Sequence, residues 1–266
     1  MKRPSVLLIA LLALLGLLTA ACGDDSDDSD AAATTAAAAP DLEGEITVFA
    51  AASLTESFTE VGEAFTAANP DAKATFSFDA SSALATQIIE GAPADVFASA
   101  DVANMTKITD ESLNGTEPVI FATNLLTIVV APGNPAGTSG VADLANPDLK
   151  VVLCAAEVPC GRYAAQILET AGVTVTPVSL EQNVRGVLTK VTAGEADAGI
   201  VYVTDVTAAG ADAEAVEIPA DINVVAEYPI ATVAASGSQE VGEAFIDFLL
   251  GPEGQAIMAS HGFGAP

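Results

Sequence analysis

The feature that most restricts the fold of this chain is a regular alternation of apolar runs with amphipathic segments. The strand-like runs are EITVFAA, AKATFSFD, ADVFASAD, LLTIVVAPGNP, LKVVLCAA, AGIVYVTD and AEYPIATVA. The helix-like segments are SLTESFTEVGEAFTAANP, SSALATQIIEGAP, RYAAQILETAG, LEQNVRGVLTKVTAGEA and EVGEAFIDFLLGPEGQAIMASHGF, where a Gly-Pro break divides the last one. This alternation predicts an α/β fold with mixed, mostly parallel sheets and helices on both faces.

The start of the chain has the composition of an export signal. Two basic residues precede an apolar run and the small residues before Cys22, which is typical of a secretory signal peptide over residues 1–21. An uncleaved anchor helix is the alternative, although the run is short for a bilayer. The end of this segment resembles the lipobox of bacterial lipoproteins, with Thr19 where that pattern usually has leucine. The resemblance implies that Cys22 carries lipid.

Residues 22–45 form a segment of low complexity. It contains eight acidic residues, no basic ones and hardly any large apolar side chain, so it cannot bury enough surface to offset its chain entropy. We therefore expect a disordered acidic tether, or simply a spacer, that holds the folded body away from a membrane surface.

The charge of the chain excludes one class of partner. The formal net charge is -28, and the body from residue 46 onward carries only six of the eight Lys and Arg residues. A nucleic-acid partner is excluded, because the cations that neutralise phosphates are missing. The acidity itself favours solubility.

Two of the three cysteines lie close together in the folded body. Cys154 and Cys160 occur in VVLCAAEVPCGRY, and two nearby cysteines in an exported protein favour a disulfide. A metal site is the alternative, but it would need more ligands, and the only histidine, His261, is distant in sequence. We predict a disulfide that fixes the loop leading into the next helix.

The strand-to-helix turns contain the candidate binding residues. In open α/β sheets, ligands bind at the carboxyl ends of strands. These turns are Ala52-Ser53, Ala80-Ser81-Ser82, Pro159-Cys160-Gly161, Asn183-Val184 and Tyr202. They offer hydroxyls and backbone N–H groups at helix N-termini, which bind anions without a formal cation. A fully deprotonated tetrahedral oxyanion, which has only acceptors, fits such a set of donors.

Each of these residues also has a structural interpretation. A serine at a helix start is most often an N-cap, and Tyr202 and Val184 could be core residues. Arg162 and Arg185 could bind an acidic ligand, but we expect them to pair with carboxylates. His261 is expected to be a surface or capping residue. The chain contains no G-x-S-x-G, H-E-x-x-H, Walker A or G-x-G-x-x-G motif, so we do not expect an enzyme.

Seven segments together resemble a known family. They are ITVFAAASLTESF, FDASSALATQIIEGAPADVFASAD, NLLTIVVAPGNP, CAAEVPCGRYAAQIL, NVRGVLTKVTAGEADAGIVYVTD, EYPIATV and FIDFLLGPEGQAIMASHGF. Over residues 45–264, in the same order, they resemble the molybdate-binding proteins of bacterial ABC transporters. The resemblance implies a two-lobed type II periplasmic-binding fold with the ligand in the interlobe cleft. Lobe 1 would comprise residues 46–123 and 228–266, and lobe 2 residues 124–227.

The resemblance also implies which groups hold the ligand. These groups are the hydroxyls and amides of Ser53 and Ser81, the backbone N–H groups of Cys160 and Val184, and the Tyr202 hydroxyl. Cys160 stands where the family often has alanine, so the predicted disulfide would lie in the binding loop. FDASSAL has Asp79 where others have small residues, so we expect Asp79 to point away from the anion.

The same resemblance implies the ligand, the partners and the location. The ligand would be molybdate or tungstate, bound as an oxyanion with no direct coordination of the metal and no cofactor. The partners would be a membrane permease and its ATPase subunit, served by an extracytoplasmic, lipid-anchored monomer. The alternatives are a receptor for another tetrahedral oxyanion such as sulfate, and a binding-fold enzyme or adhesin without a transport role.

Overall fold

The computed structural model describes residues 42–266, so the predicted signal peptide, Cys22 and most of the tether lie outside the described residues. The described strands are β1 (Gly44–Ala51), β2 (Ala72–Asp79), β3 (Val96–Ala98), β4 (Val119–Val130), β5 (Val151–Cys154), β6 (Ser179–Glu181), β7 (Ala198–Tyr202), β8 (Glu214–Glu217) and β9 (Val225–Thr232). The helices are α1 (Thr55–Ala68), α2 (Ser81–Ile89), α3 (Val102–Asp110), α4 (Pro159–Thr170), α5 (Val184–Thr192), α6 (Val203–Ala209), α7 (Gln239–Leu250) and α8 (Pro252–Ser260). A 3-10 turn, Ala52–Leu54, joins β1 to α1.

The strands form one mixed sheet, and this confirms the predicted α/β class. The strand order is β2-β1-β3-β9-β4-β7-β5-β6, with β8 paired to β4. The pairs β1–β2, β1–β3, β5–β6 and β5–β7 are parallel, whereas every antiparallel pair includes β4 or β9. The parallel strands therefore form two groups, separated by two long antiparallel strands.

Strand β4 runs through both groups. Its residues 119–125 pair with β9, and its residues 126–130 pair with β7. We call the part of the sheet that contains β1, β2 and β3 the first half, and the part that contains β5, β6 and β7 the second half.

Helices cover both faces of the first half. On one face, Phe58 and Phe65 of α1 pack edge-on against Phe245 of α7, with the Phe65 and Phe245 ring centroids 5.4 Å apart. On the other face, Phe49 of β1 joins a cluster with buried side chains of α2 and α3 such as Leu84. Apolar residues on both sides of a strand require such two-sided cover.

Two parts of the secondary-structure prediction differ from the structure. The helix predicted from Leu180 begins at Val184, because residues 179–181 pair with β5 as β6 and Asn183 then caps α5 by accepting a hydrogen bond from the Gly186 amide. The pattern also missed α3, α6 and β8. Within residues 42–266, no helix combines the length and the apolar character needed to cross a membrane.

Candidate ligand-binding site

A small cavity lies where strands of both halves end and helices begin. Its volume is about 20 Å³, which exceeds the space that one ordered water molecule needs. The lining residues are Ala51, Ala52, Ser53, Ala80, Ser81, Ala100, Val158, Pro159, Cys160, Asn183, Val184 and Tyr202. The structure thus brings all five residues of the implied ligand set to one cavity, and none of the lining residues is charged.

Two helix N-termini that lack a side-chain cap meet at this cavity. Helices α2 and α4 begin here after Ala80 and Val158, whose side chains accept no capping hydrogen bond. The first N–H groups of a helix have no partner within the helix and carry its partial positive charge. The residues that bear these groups, Ser81 and Cys160, line the cavity, so an anion can approach the donors directly.

The two cavity serines are not N-caps, so the capping interpretation is wrong for both. Ser81 is the first residue of α2, and its Oγ accepts a hydrogen bond from the Ala100 amide at 2.9 Å. Ser53 lies inside the 3-10 turn, and its Oγ is 3.0 Å from the Tyr228 hydroxyl. Both buried side chains line the cavity, so each hydroxyl can contact a ligand there.

Tyr202 supplies a third hydroxyl from the end of β7. The residue is 1 % exposed, and within the described part of the chain its hydroxyl has no hydrogen-bond partner. Burial raises the pKa of Tyr202 well above its ordinary value, so the group stays protonated. A buried, protonated hydroxyl without an acceptor is a donor available to a ligand.

The two arginines near the cavity are paired with carboxylates, as predicted. Arg162 forms an ion pair with Asp101, and Arg185 forms one with Glu56. Arg185 Nε also donates to the Ala52 carbonyl at 3.2 Å. Neither arginine lines the cavity. The site is therefore built from hydroxyls and backbone dipoles, and the nearby positive charge is neutralised.

The predicted disulfide between Cys154 and Cys160 is confirmed. It links the end of β5 to the first turn of α4, with the two Cα atoms 5.8 Å apart. Closing so short a loop stabilises the fold by about 2 kcal/mol. Gly161 packs closely here, since a Cβ on it would lie 1.9 Å from the Ala155 carbonyl oxygen. Together the disulfide and the glycine fix the position of the Cys160 amide.

Asp79 does not line the cavity. Its Oδ1 accepts hydrogen bonds from the Ala80 amide at 2.7 Å and from Asn183 Nδ2 at 3.0 Å. His261 lies away from the site, where its Nε2 is 2.7 Å from a Glu60 carboxylate oxygen. In residues 42–266, no group of three His, Cys, Asp or Glu side chains has the arrangement of a metal site.

Sequence reasoning missed the residues behind the cavity wall. Tyr228 and Asn124 lie on β9 and β4 and form a buried polar group with Ser53 and Thr204. Asp205, in the first turn of α6, accepts a hydrogen bond from the Tyr202 amide at 3.0 Å. Only their polar character within apolar segments could have indicated them, and that signal does not tell which residues meet in space.

Comparisons with known proteins agree with this architecture. Residues 46–264 match the family described as bacterial extracellular solute-binding protein. The chain is 42% identical over 221 residues to the molybdate-binding protein ModA of Mycobacterium tuberculosis. The aligned region covers 83% of this chain and 85% of that protein.

Two solved structures share the fold. The periplasmic molybdate-binding protein of Azotobacter vinelandii has a TM-score of 0.72 and 20% identity, over 83% of this chain and 99% of that one. The sulfate-binding protein SubI of Mycobacterium tuberculosis has a TM-score of 0.76 and 20% identity, over 83% of this chain and 86% of that one. By its sequence and its fold, the chain belongs to the bacterial extracellular solute-binding proteins.

Proposed function

We propose that this protein captures molybdate or tungstate outside the cytoplasm and delivers it to the permease and ATPase of an ABC importer. The observation that carries the proposal is the uncharged cavity lined by Ser53, Ser81, Cys160, Val184 and Tyr202. The ModA relative, which is named for molybdate binding, supports this choice of anion. The same relative supports capture without chemical conversion.

The donors of the cavity suit a fully deprotonated oxyanion. The hydroxyls of Ser53, Ser81 and Tyr202 and the amides of Cys160 and Val184 can all donate hydrogen bonds. Molybdate and tungstate present only acceptor oxygens, whereas a protonated oxyanion also needs an acceptor from the protein. Hydrogen bonds to a charged acceptor are worth roughly 1.5–3 kcal/mol each, so five of them can hold the ion without an arginine.

The mechanism we propose is closure of two lobes on the anion. Lobe 1, residues 46–123 and 228–266, would bind first through Ser53 and Ser81, and lobe 2, residues 124–227, would complete the shell. The long strands β4 and β9 support this division, since both lobe boundaries fall within them. Ligand shifts the equilibrium because only the closed form makes every contact.

We further propose that the mature protein is a monomer anchored by lipid on Cys22 and held off the membrane by the acidic segment 22–43, since β1 begins at Gly44. The basic and apolar start of the chain supports a signal peptide over residues 1–21. Fractionation of cells that express the full chain should recover it with membranes, and Cys22→Ser should release it. Equal recovery of both proteins with membranes would contradict lipidation at Cys22.

Calorimetric titration with molybdate, tungstate and sulfate tests the ligand. We expect molybdate and tungstate to bind at least about a hundredfold more tightly than sulfate, a difference of ~2.7 kcal/mol. Sulfate is the second candidate, because it is also a tetrahedral dianion and the SubI structure shares the fold. Sulfate binding as tight as that of molybdate would overturn the assignment.

Ser81→Ala tests the position of the site in the same titration. Loss of its hydroxyl should weaken molybdate binding by roughly 10- to 100-fold. Ser82→Ala is the matched control, because Ser82 is the next residue of α2 and does not line the cavity. Equal affinities of the two variants would place the anion elsewhere.

A further inference from the structure

A buried chain of hydrogen bonds lies behind the Ser53 wall of the cavity. Ser53 Oγ is 3.0 Å from the Tyr228 hydroxyl, which is 3.5 Å from Asn124 Nδ2. The same nitrogen donates to Thr204 Oγ1 at 2.8 Å. All four side chains are buried. The chain thus connects the cavity to both long strands and to the first turn of α6.

The direction of each hydrogen bond in this chain follows from groups that can only donate. The Leu125 backbone N–H donates to Asn124 Oδ1 at 2.9 Å, which fixes the orientation of the Asn124 amide. Its Nδ2 group therefore faces Tyr228 and Thr204. Because an amide NH₂ has no acceptor, the Tyr228 oxygen must accept from it.

Tyr228 then has one hydrogen to donate, and Ser53 Oγ is the acceptor within reach. Burial raises the pKa of Tyr228 above its ordinary value, so that hydrogen is retained. With the Ser53 oxygen accepting from Tyr228, the Ser53 hydrogen is free to point into the cavity. The Ser81 hydroxyl is oriented in the same way. Its Oγ accepts a hydrogen bond from the Ala100 amide, so its hydrogen is also free to point into the cavity.

We propose that Tyr228 and Asn124 are positioning residues that orient the Ser53 hydroxyl as a donor and so select oxyanions that carry no proton. Neither residue lines the cavity; both act through Ser53. The inference rests on the proposed function, and it assigns to these two side chains the part of the preference for a deprotonated anion that the Ser53 hydroxyl supplies.

A double-mutant cycle with Tyr228→Phe and Ser53→Ala tests the coupling by molybdate titration. Tyr228→Phe alone should weaken binding by roughly three- to tenfold, and Ser53→Ala alone by roughly 10- to 100-fold. The double variant should bind as Ser53→Ala does, because Tyr228 acts only through that hydroxyl. If the two losses multiply, the inference is overturned.

The matched control is Tyr163→Phe, which removes a nearby tyrosine hydroxyl from a ring in edge contact with Tyr202. It should leave molybdate affinity unchanged, and a loss equal to that of Tyr228→Phe would contradict the specific role. Should Tyr228→Phe fail to fold, Asn124→Ala takes its place in the cycle with the same expected coupling.

The selectivity between molybdate and a protonated oxyanion provides a second measurement. It would not change if Tyr228 had only a structural role. Hydrogenphosphate carries a proton at neutral pH, and its affinity can be measured by competition with molybdate. Tyr228→Phe frees the Ser53 oxygen to accept, so the ratio of molybdate to hydrogenphosphate affinity should fall by roughly threefold or more. An unchanged ratio counts against orientation. Failure of the wild-type protein to bind molybdate would refute the proposed function instead.

Discussion

At the scale of single residues, Asp205 next to the site has a carboxyl group whose pKa is raised by burial and lowered by its neighbours. The side chain is fully enclosed, and burial raises its pKa from 3.8 to about 7, against the opposing effects of Arg185 and the Tyr202 amide. Arg185 Nε is 3.8 Å from Asp205 Oδ1, and Glu56 on α1 adds a small further rise. Asp205 therefore changes its charge near neutral pH.

This pKa predicts a pH-dependent stability. Between pH 3.8 and about 7 the folded chain holds a proton on Asp205 that the unfolded chain has lost. The contribution of Asp205 is thus fully present below the lower value and is lost as pH rises through the higher one, with a slope of up to about 1.4 kcal/mol per pH unit.

Asp205→Asn should remove this dependence. We expect its free energy of unfolding in urea to fall less than that of the wild-type protein between about pH 5 and about pH 8. Asn keeps an acceptor for the Tyr202 amide, and the exposed Asp212→Asn is the control that leaves the dependence intact. Parallel wild-type and Asp205→Asn curves would show that Asp205 does not titrate in this range.

Single residues of the candidate site differ in how far they could be predicted from the sequence. Hydroxyls and small residues at strand ends indicated Ser53 and Ser81, which the structure brings to one cavity, because each feature is local. The capping role expected of these serines was wrong, since a cap depends on where the helix starts, and α2 starts one residue earlier than a Ser81 cap requires. Tyr228 and Asn124 act across more than 70 residues of sequence, and no local pattern carries that information.

At the scale of elements, prediction succeeded where a segment is long or fully apolar. The runs that became β1, β2, β5 and β7 and the amphipathic segment of α7 were all recognised. Helix α3 was missed although Met105 and Ile108 are buried along it and Asp101 caps it by accepting a hydrogen bond from the Asn104 amide. Strand β6 was read as helix because three residues that pair with β5 precede the α5 cap. Pairing with a distant segment decided the case of β6.

At the scale of the whole molecule, three residues of the second half make polar contacts with the first half across the cavity. We call them the cleft contacts, and they are Arg162–Asp101, Arg185 with Glu56 and the Ala52 carbonyl, and Asn183–Asp79. Each pairs a residue in the first turn or at the N-cap of a second-half helix with an acceptor in the first half. Under the proposed closure these contacts form only in the closed state, so they add to the stability of that state without touching the anion.

Arg162→Met should therefore weaken molybdate binding although Arg162 does not line the cavity. The Asp101 side chain is only 5% exposed, so the closed form would bury a carboxylate that keeps its hydrogen bonds from Asn104 but has lost its cation. A cost of ~1 kcal/mol in closure lowers the apparent affinity about fivefold. Stopped-flow measurements should assign most of this loss to faster dissociation, because an opened cleft releases the ion.

Lys73→Met is the control, since its ion pair with Glu45 is exposed and lies within the first half. Equal dissociation rates for Arg162→Met and the wild-type protein would mean that the cleft contacts do not hold the closed state.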